Sequence, residues 1–599
     1  MQRLIKIVIL FLVVSIKLAS AQVVSKYKIH SHNDYEQKVP FWDAYANGLN
    51  SIEVDIFLKD GVLYACHSEA QIKKEHTIET LYLQPLEKIF FLKLGDQQEI
   101  QLLIDIKSEP ISTLRKLVEV LEKYPELIHN KNISFVISGN QPETKDYKQY
   151  PDYIHFDYQS FDNFVDEEQW NKVALISKSF GEFSKWNGKG RLTADDYKKV
   201  TEAINKAHRY GKPFRFWGCP DSKTAWKTFV DLGVDIINTD IPYESSHYLN
   251  SLSNRVYYNT IKSNVYTPQY LCDKKNSVVK NIILLIGDGN GLSQISAALL
   301  SNDGQLTLSQ LKSIGFLKTQ AADDFITDSA AAGTALATGI KTHNRAIGVD
   351  SADKSIENIM EALTKRGFNT GCITTDAIIG ATPATFYSHQ KDRSMDLEIA
   401  NDLLKSKLNL FMGGGRSDFA TSFSKTDFTI LNSIDEVAKS KKDKVGHFFT
   451  ENSVPGVLKG RGTLLADATK SGLDFLSAKN KPFFLMVEGA QIDHNGHANN
   501  VGGIVSEGID FDQAITEAIQ FADKTGNTLV IITADHETSG FSIAQGNIKE
   551  KMIEGDFTSF DHTGTLVPIF SYGPHSDFFT GVYENNEVFH KIKQVLDFK

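Results

Sequence analysis

Asp493 and His497 stand four residues apart, Asp535 and His536 are adjacent, and His562 follows further on. Each group comes just after an apolar or small-residue run. Zinc takes imidazole nitrogen and carboxylate oxygen in a near-tetrahedral shell and leaves one position open for substrate. Asp493, His497 and His562 make one set of three such donors, and Asp288, Asp535 and His536 make a second. Asp288 with Glu488 and a hydroxyl makes a harder, all-oxygen set of the kind magnesium prefers. Ser329 follows Asp328 and opens a run of alanines, the start of a tightly packed helix whose N–H groups point at an anion. Alone, a serine there is an ordinary helix cap. Beside the Asp/His groups it reads as a nucleophile activated by a metal ion. The chemistry is metal-assisted phosphoryl transfer.

Such residues need a scaffold to bring them together. Asn281–Ile286, Asn369–Thr374, Leu408–Met412, Phe483–Val487, Thr528–Thr533 and Val567–Tyr572 are short apolar runs. Continuous apolar strands imply an α/β unit with a mostly parallel sheet covered on both faces. Asp288, Glu488 and Asp535 each follow the carboxyl end of one of these strands, where open parallel sheets form their ligand crevice. In order along the chain, the segments Gly287–Gly289, Thr327–Ala331, Ala381–Ala384, Val487–Ala490, Ile492–His494, Thr533–Glu537 and His562–Gly564 resemble those of the alkaline phosphatase family. The resemblance spans about 278–599. It implies a phosphoserine formed on Ser329 and a phosphate grip by Arg393. It further implies one zinc at Asp493, His497 and His562, a second zinc at Asp288, Asp535 and His536, and magnesium at Asp288, Thr382 and Glu488. Gly380, where members often carry Asp or His, bears on magnesium affinity, and His494, where members carry Lys or His, on the pH optimum.

The first half has a different rhythm. Candidate strands at Tyr27–Ser31, Ser51–Phe57, Gln101–Lys107, Ile133–Ser138, Tyr153–Phe156, Val173–Ser177, Pro213–Trp217 and Asp235–Thr239 alternate mostly with helical patterns such as Ile111–Tyr124 and Thr193–Tyr210. This predicts a (β/α)8 TIM-like barrel over 25–250. Glu53, Asp55 and Asp105 at its strand ends form a set for one calcium or magnesium ion. His32 and His67 could act as base and acid across a phosphodiester. The constellation resembles the glycerophosphodiester phosphodiesterase and phosphatidylinositol-phospholipase superfamily, over about 25–245. The resemblance implies that Glu53, Asp55 and Asp105 are metal ligands and His32 and His67 the catalytic pair. Asn33 stands where that family has a phosphate-binding arginine, a role Lys107 is placed to take over. The barrel is accordingly either a diesterase feeding a monoester to Ser329 or a silent binding module.

A chain of 599 residues exceeds one hydrophobic core. Its net charge of −10 with no basic run argues against a nucleic-acid partner. Arg3 and Lys6, the apolar stretch Ile7–Ile16 and Ala19-Ser20-Ala21 read as a secretory signal peptide over 1–21, so the protein is expected to be exported, periplasmic or secreted, with no membrane span. Residues 251–277, rich in Ser, Asn and Tyr, read as a linker before the phosphatase-like domain at 278–599. The 4 cysteines are scattered without metal-ligand spacing, and leave free thiols or one bridge open. Substrates are expected to be phosphate monoesters and glycerophosphodiesters. A homodimer follows from the resemblance alone. A diesterase of the same metal superfamily is the alternative for the second half; a sulfatase would need a formylglycine signature, which is absent.

Overall fold

The computed structural model describes residues 26–94, 98–162, 166–419 and 426–597. The signal-peptide reading at 1–21 lies outside them. Contacts divide the chain into two compact units, one ending at Leu252 and one beginning at Ser253.

The first unit is the expected closed barrel. Its parallel strands are β1 (Lys28–Ser31), β2 (Ser51–Lys59), β4 (Ile100–Ile106), β5 (Ile133–Gly139), β6 (Ile154–Tyr158), β7 (Val173–Ser179), β8 (Phe214–Trp217) and β9 (Ile236–Thr239). They follow one another round the sheet, and β1 pairs with both β9 and β2 to close it. A short β3 (Val62–Ala65) folds back on β2 as a hairpin. Leu103, Val136, Leu175 and Ile236 form a buried apolar cluster of strand residues. Helices cover the strands for local reasons. In Pro110–Leu121, proline occupies the first turn, Glu109 accepts from the N–H groups of Ile111 and Ser112, and Leu114, Leu117 and Leu121 fall on one buried face.

The second unit is built on a sheet of ten strands. In spatial order these are β15 (Thr429–Leu431), β16 (Val445–Phe448), β14 (Leu410–Gly414), β13 (Asn369–Ala377), β17 (Phe483–Gly489), β11 (Asn281–Gly287), β18 (Thr528–Thr533), β23 (Val567–Tyr572), β12 (Ser313–Lys318) and β24 (Gly581–Glu584). From β15 to β18 every pairing is parallel; β23 is antiparallel to both β18 and β12. Alternate residues of β11 explain the apolar runs. Ile282, Leu284 and Ile286 enter one buried core and Ile283 and Leu285 the other. In the stretch read as a linker, β10 (Val256–Tyr258) pairs antiparallel with β21 (Met552–Asp556), and Ser263 Oγ donates to Asp512 Oδ2 at 2.9 Å. The polar residues that mark it as a linker thus have partners in the second unit. Of the alternatives open for the cysteines, all four are free thiols.

Candidate active site

Strand register brings the acidic residues of the second unit to one level. Ile286 on β11 lies beside Glu488 on one side and Thr533 on the other, so Asp288, Glu488 and Asp535 emerge together at the carboxyl edge. Gly289 makes the turn possible. Its φ is +69°, and a Cβ there would stand 2.7 Å from Thr538 Oγ1 and 2.9 Å from Asp493 Cα.

The donors of both expected sets meet in this crevice, where the close groups are Asp288, Asp535 and His536; Asp493, His536 and His562; and His497, Asp561 and His562. His536 Nε2 lies 3.4 Å from Asp288 Oδ1 and 3.3 Å from Asp535 Oδ2. Asp493 and His497 share the short helix Gln491–His497, whose i, i+4 spacing puts both on one face. His497 Nε2 lies 3.4 Å from Asp493 Oδ2, and His562 Nε2 lies 3.1 Å from His497 Nε2 and 3.6 Å from Asp493 Oδ1. The rings of His536 and His562 stack at 3.6 Å between centroids and so join the sets. Thr382 Oγ1 donates to Asp288 Oδ2 at 3.4 Å, and Glu488 accepts from Thr374 Oγ1.

Ser329 begins the buried helix Ser329–Thr338, with Asp328 as N-cap accepting from Ala331 N–H at 2.9 Å. Its small residues are needed for packing: a Cβ on Gly333 would come 3.0 Å from Thr385 Oγ1. Ser329 Oγ stands 3.3 Å from His536 Nε2. Arg393 Nη1 donates to Asp328 Oδ2 at 3.2 Å, beside Ser329.

Sequence reasoning missed several neighbours. Asp561 groups with His497 and His562. Thr538 Oγ1 donates to Asp493 Oδ1 at 2.5 Å and lies 3.2 Å from His536 Nδ1. Asp376 fills the space beside Gly380, where a Cβ would meet its Oδ2 at 2.8 Å. The only available signals were positions next to identified motifs, and these do not reveal contact. His494 is exposed.

Electrostatics test whether a cation fits. Burial, then the charges of Asp535, Asp493 and Glu488, push the Asp288 carboxyl well above its ordinary range. Burial pushes Glu488 up to about 8 and raises Asp535. Burial, then His562, lowers His536 to about 3, which keeps its ring neutral as metal ligation requires. Asp288 Oδ1 and Asp535 Oδ2 are buried with no hydrogen-bond partner. Orphaned acceptors, repelling acids and a neutral imidazole fit divalent metal ions.

The barrel holds a second constellation. Pairing of β2 with β4 sets Asp55 opposite Asp105. Glu53, Asp55 and Asp105 bring ligand atoms within 4.8 Å of one another, and Asp55 Oδ1 is buried without a hydrogen-bond partner. Burial pushes Asp105 up to about 6; Glu53, despite its burial, is held below its ordinary range by the His30 hydrogen bond and the Arg215 charge. This set too fits a divalent ion. His32 Nδ1 is 2.7 Å from Asp240 Oδ1, and His67 Nδ1 is 2.7 Å from Asp55 Oδ2. Lys107 Nζ lies 3.4 Å from Asp55 and 3.1 Å from Asp105. Asn33, in place of arginine, adopts φ +46°, a left-handed turn that asparagine tolerates. Tyr35, whose hydroxyl donates to Asp55 Oδ2 at 3.0 Å, and the buried Arg215, whose Nη1 lies 3.1 Å from Glu53 Oε2, were not foreseen.

A mostly parallel α/β sheet with Asp/His donors around a buried serine at a helix start is the architecture of a hydrolase of phosphate esters. An alkaline phosphatase family model matches residues 279–430 and 424–556. Alkaline phosphatase 4 of Bacillus subtilis is 32% identical over 409 residues, covering 53% of this chain and 89% of that protein. The Escherichia coli alkaline phosphatase is 31% identical over 408 residues, covering 53% and 86%. The solved alkaline phosphatase of the Antarctic bacterium TAB5 is 41% identical, with TM-score 0.51 over 54% of this chain and 100% of that one. The chain belongs to the alkaline phosphatase family and is a phosphoric monoester hydrolase. Its N-terminal half matches an AIM6-like phosphodiesterase domain model at 19–129 and a glycerophosphoryl diester phosphodiesterase family model at 213–243.

Proposed function

We propose that the second unit cleaves phosphate monoesters in two displacements on Ser329. The observation that carries this reading is Ser329 Oγ at a helix N-terminus, 3.3 Å from His536 Nε2 and flanked by both donor sets. Ser329 Oγ attacks phosphorus, the bond to the leaving alcohol breaks, and a phosphoserine remains. Water then displaces Ser329 and releases inorganic phosphate. Arg393, steadied by Asp328, takes two phosphate oxygens on its planar fork. The helix N–H groups offset negative charge on the phosphate. Asp493, His497 and His562 would hold one zinc, Asp288, Asp535 and His536 a second, and Asp288, Thr382 and Glu488 a magnesium. When bound, these ions would supply positive charge to the reacting oxygens and would make the hydroxyl and water better nucleophiles. A variant of the TAB5 enzyme was solved with magnesium bound, which supports the third assignment. Asp376, beside Gly380, adds an acid near that set. Acid-quenched turnover should leave phosphate on the peptide containing Ser329, detected by mass spectrometry; phosphate on another residue, or none, refutes the scheme.

The buried acids Glu53, Asp55 and Asp105, gathered at the ends of adjacent barrel strands, favour a second activity. Glu53, Asp55 and Asp105 would hold a calcium or magnesium ion, and His32 and His67 would act as base and acid on a phosphodiester. With Nδ1 bound to a carboxylate, Nε2 of each ring is the atom that exchanges the proton. The monoester released would then be a substrate for Ser329. His67→Ala, with Ser329 intact, should cut phosphate release from a glycerophosphodiester by at least tenfold and leave monoester turnover unchanged. Equal release would make the barrel a binding module. The signal-peptide pattern at 1–21 supports action outside the cytoplasm. Among the described residues no helix is long and apolar enough to cross a membrane.

A further inference from the structure

Arg345 stands in the turn after the nucleophile helix with φ +74°, a conformation that side chains other than glycine seldom adopt. Such a conformation persists where the surroundings over-determine it, and it is common near functional sites. Here the surroundings are specific. The Arg345 N–H donates to Asp328 Oδ1 at 3.1 Å, and its carbonyl accepts from the Arg393 N–H at 2.8 Å. Its guanidinium takes Asp392 in two parallel bonds, Nε to Oδ2 and Nη2 to Oδ1, each 2.8 Å. Asp392 immediately precedes Arg393, and Ser394 fixes it further through N–H and Oγ bonds to Oδ1 of 2.9 and 2.6 Å. Arg393 Nη1 returns to Asp328 Oδ2, which closes a ring of contacts around the residue before the nucleophile.

We infer that Arg345 is a positioning residue for the phosphate grip: its fork on Asp392 holds the Arg393 backbone where the Arg393 guanidinium can meet substrate phosphate. The inference rests on the reading of Arg393 as the phosphate ligand. Exposed ion pairs contribute little to stability, and Arg345 is 54% exposed. A bidentate planar pair instead fixes direction, and direction is what a fork binding two phosphate oxygens needs. The Arg345 hydrogen bonds hold the Asp392 carboxyl well below its ordinary range, so the pair is charged at neutral pH. The backbone bonds of Arg345 survive side-chain truncation, so the role of the guanidinium can be tested alone.

The test uses the full-length, metal-loaded protein and inorganic phosphate as the probe. Arg345→Gly and Arg345→Asn both suit a positive φ, so neither should lower the melting temperature. Each should nevertheless raise the inhibition constant of phosphate and the KM for a monoester about fivefold to tenfold, with a smaller change in kcat. Asp392→Asn should do the same, and the double variant should be no worse than either single one. Arg345→Lys, which keeps the charge but not the fork, should not restore the wild-type value. Unchanged phosphate inhibition in Arg345→Gly and Arg345→Asn, with Arg393→Ala raising it, overturns the inference and leaves the reading of Arg393 standing. A lowered melting temperature with unchanged phosphate inhibition also overturns it. If Arg393→Ala leaves phosphate inhibition unchanged, the underlying reading fails and the inference falls with it.

Discussion

Ser329→Ala is expected to lower kcat for p-nitrophenyl phosphate by on the order of a thousandfold or more, with no loss of thermal stability. The substitution removes one hydroxyl from a residue that is 3% exposed at the start of a buried helix. The cap of that helix is Asp328, which accepts from Ala331, so the helix keeps its N-terminus. Alanine also suits the run of alanines that follows. What disappears is the covalent route: water must attack the phosphorus directly, although Arg393 and the donor sets remain in place. The residual rate therefore measures the electrostatic contribution of the site without its nucleophile. Undiminished turnover in metal-loaded Ser329→Ala protein would rule out the serine pathway.

Chelation is expected to abolish monoester turnover and to make stability fall with rising pH. Asp288, Asp535 and Glu488 are buried side by side, and burial raises each carboxyl above its ordinary range. Glu488 is pushed up to about 8 from an ordinary value of 4.5. Between those values the folded protein holds a proton that the unfolded chain releases. Stability from this group is therefore greatest below pH 4.5 and is lost as pH climbs towards 8. Asp288 and Asp535 act in the same direction. A bound divalent ion removes the effect, because the carboxylates then face a cation instead of one another. Asp105 in the barrel, raised to about 6, and Asp510, raised to about 7, contribute with the same sign, so the difference between chelated and metal-loaded protein, and not the chelated curve alone, reports on the acids that face the metal. Thermal melts of chelated and zinc- and magnesium-reloaded protein across pH 5–8 should diverge steadily. Parallel curves would show that these acids do not form a metal site.

Much of this architecture can be read locally. The central phosphatase strands stand out as short apolar runs, and the barrel strands as short apolar or alternating runs spaced between helical patterns. β12 and β24 do not: β12 mixes serine, glycine and lysine with its apolar residues, and its pattern alternates between buried and exposed. They lie at one edge of the sheet, where burial on both faces is not required. The linker reading of 251–277 shows the same limit in reverse. Its polar composition suggests solvent, but Ser263 is buried against Asp512, a partner far along the chain.

The site divides in the same way. Donor type is a property of the side chain, and the spacing of Asp493 and His497 follows from the pitch of one helix, so the zinc-like sets can be recognised without coordinates. The strand-end positions of Asp288, Glu488 and Asp535 follow from hydrophobic patterning for the same reason. Asp561 beside His497, Thr538 bridging Asp493 and His536, Asp376 filling the space at Gly380, and the fork of Arg345 on Asp392 have no such local signature. Each depends on the packing of loops whose separation in sequence carries no information about distance. Residue chemistry, short-range periodicity and the resemblance carried by the ordered motifs are therefore sufficient to identify a phosphatase joined to a barrel. Which groups surround Arg393, and which acids lie beside each Asp/His cluster, is decided by long-range packing, because only there do side chains from separate strand ends come within hydrogen-bond reach.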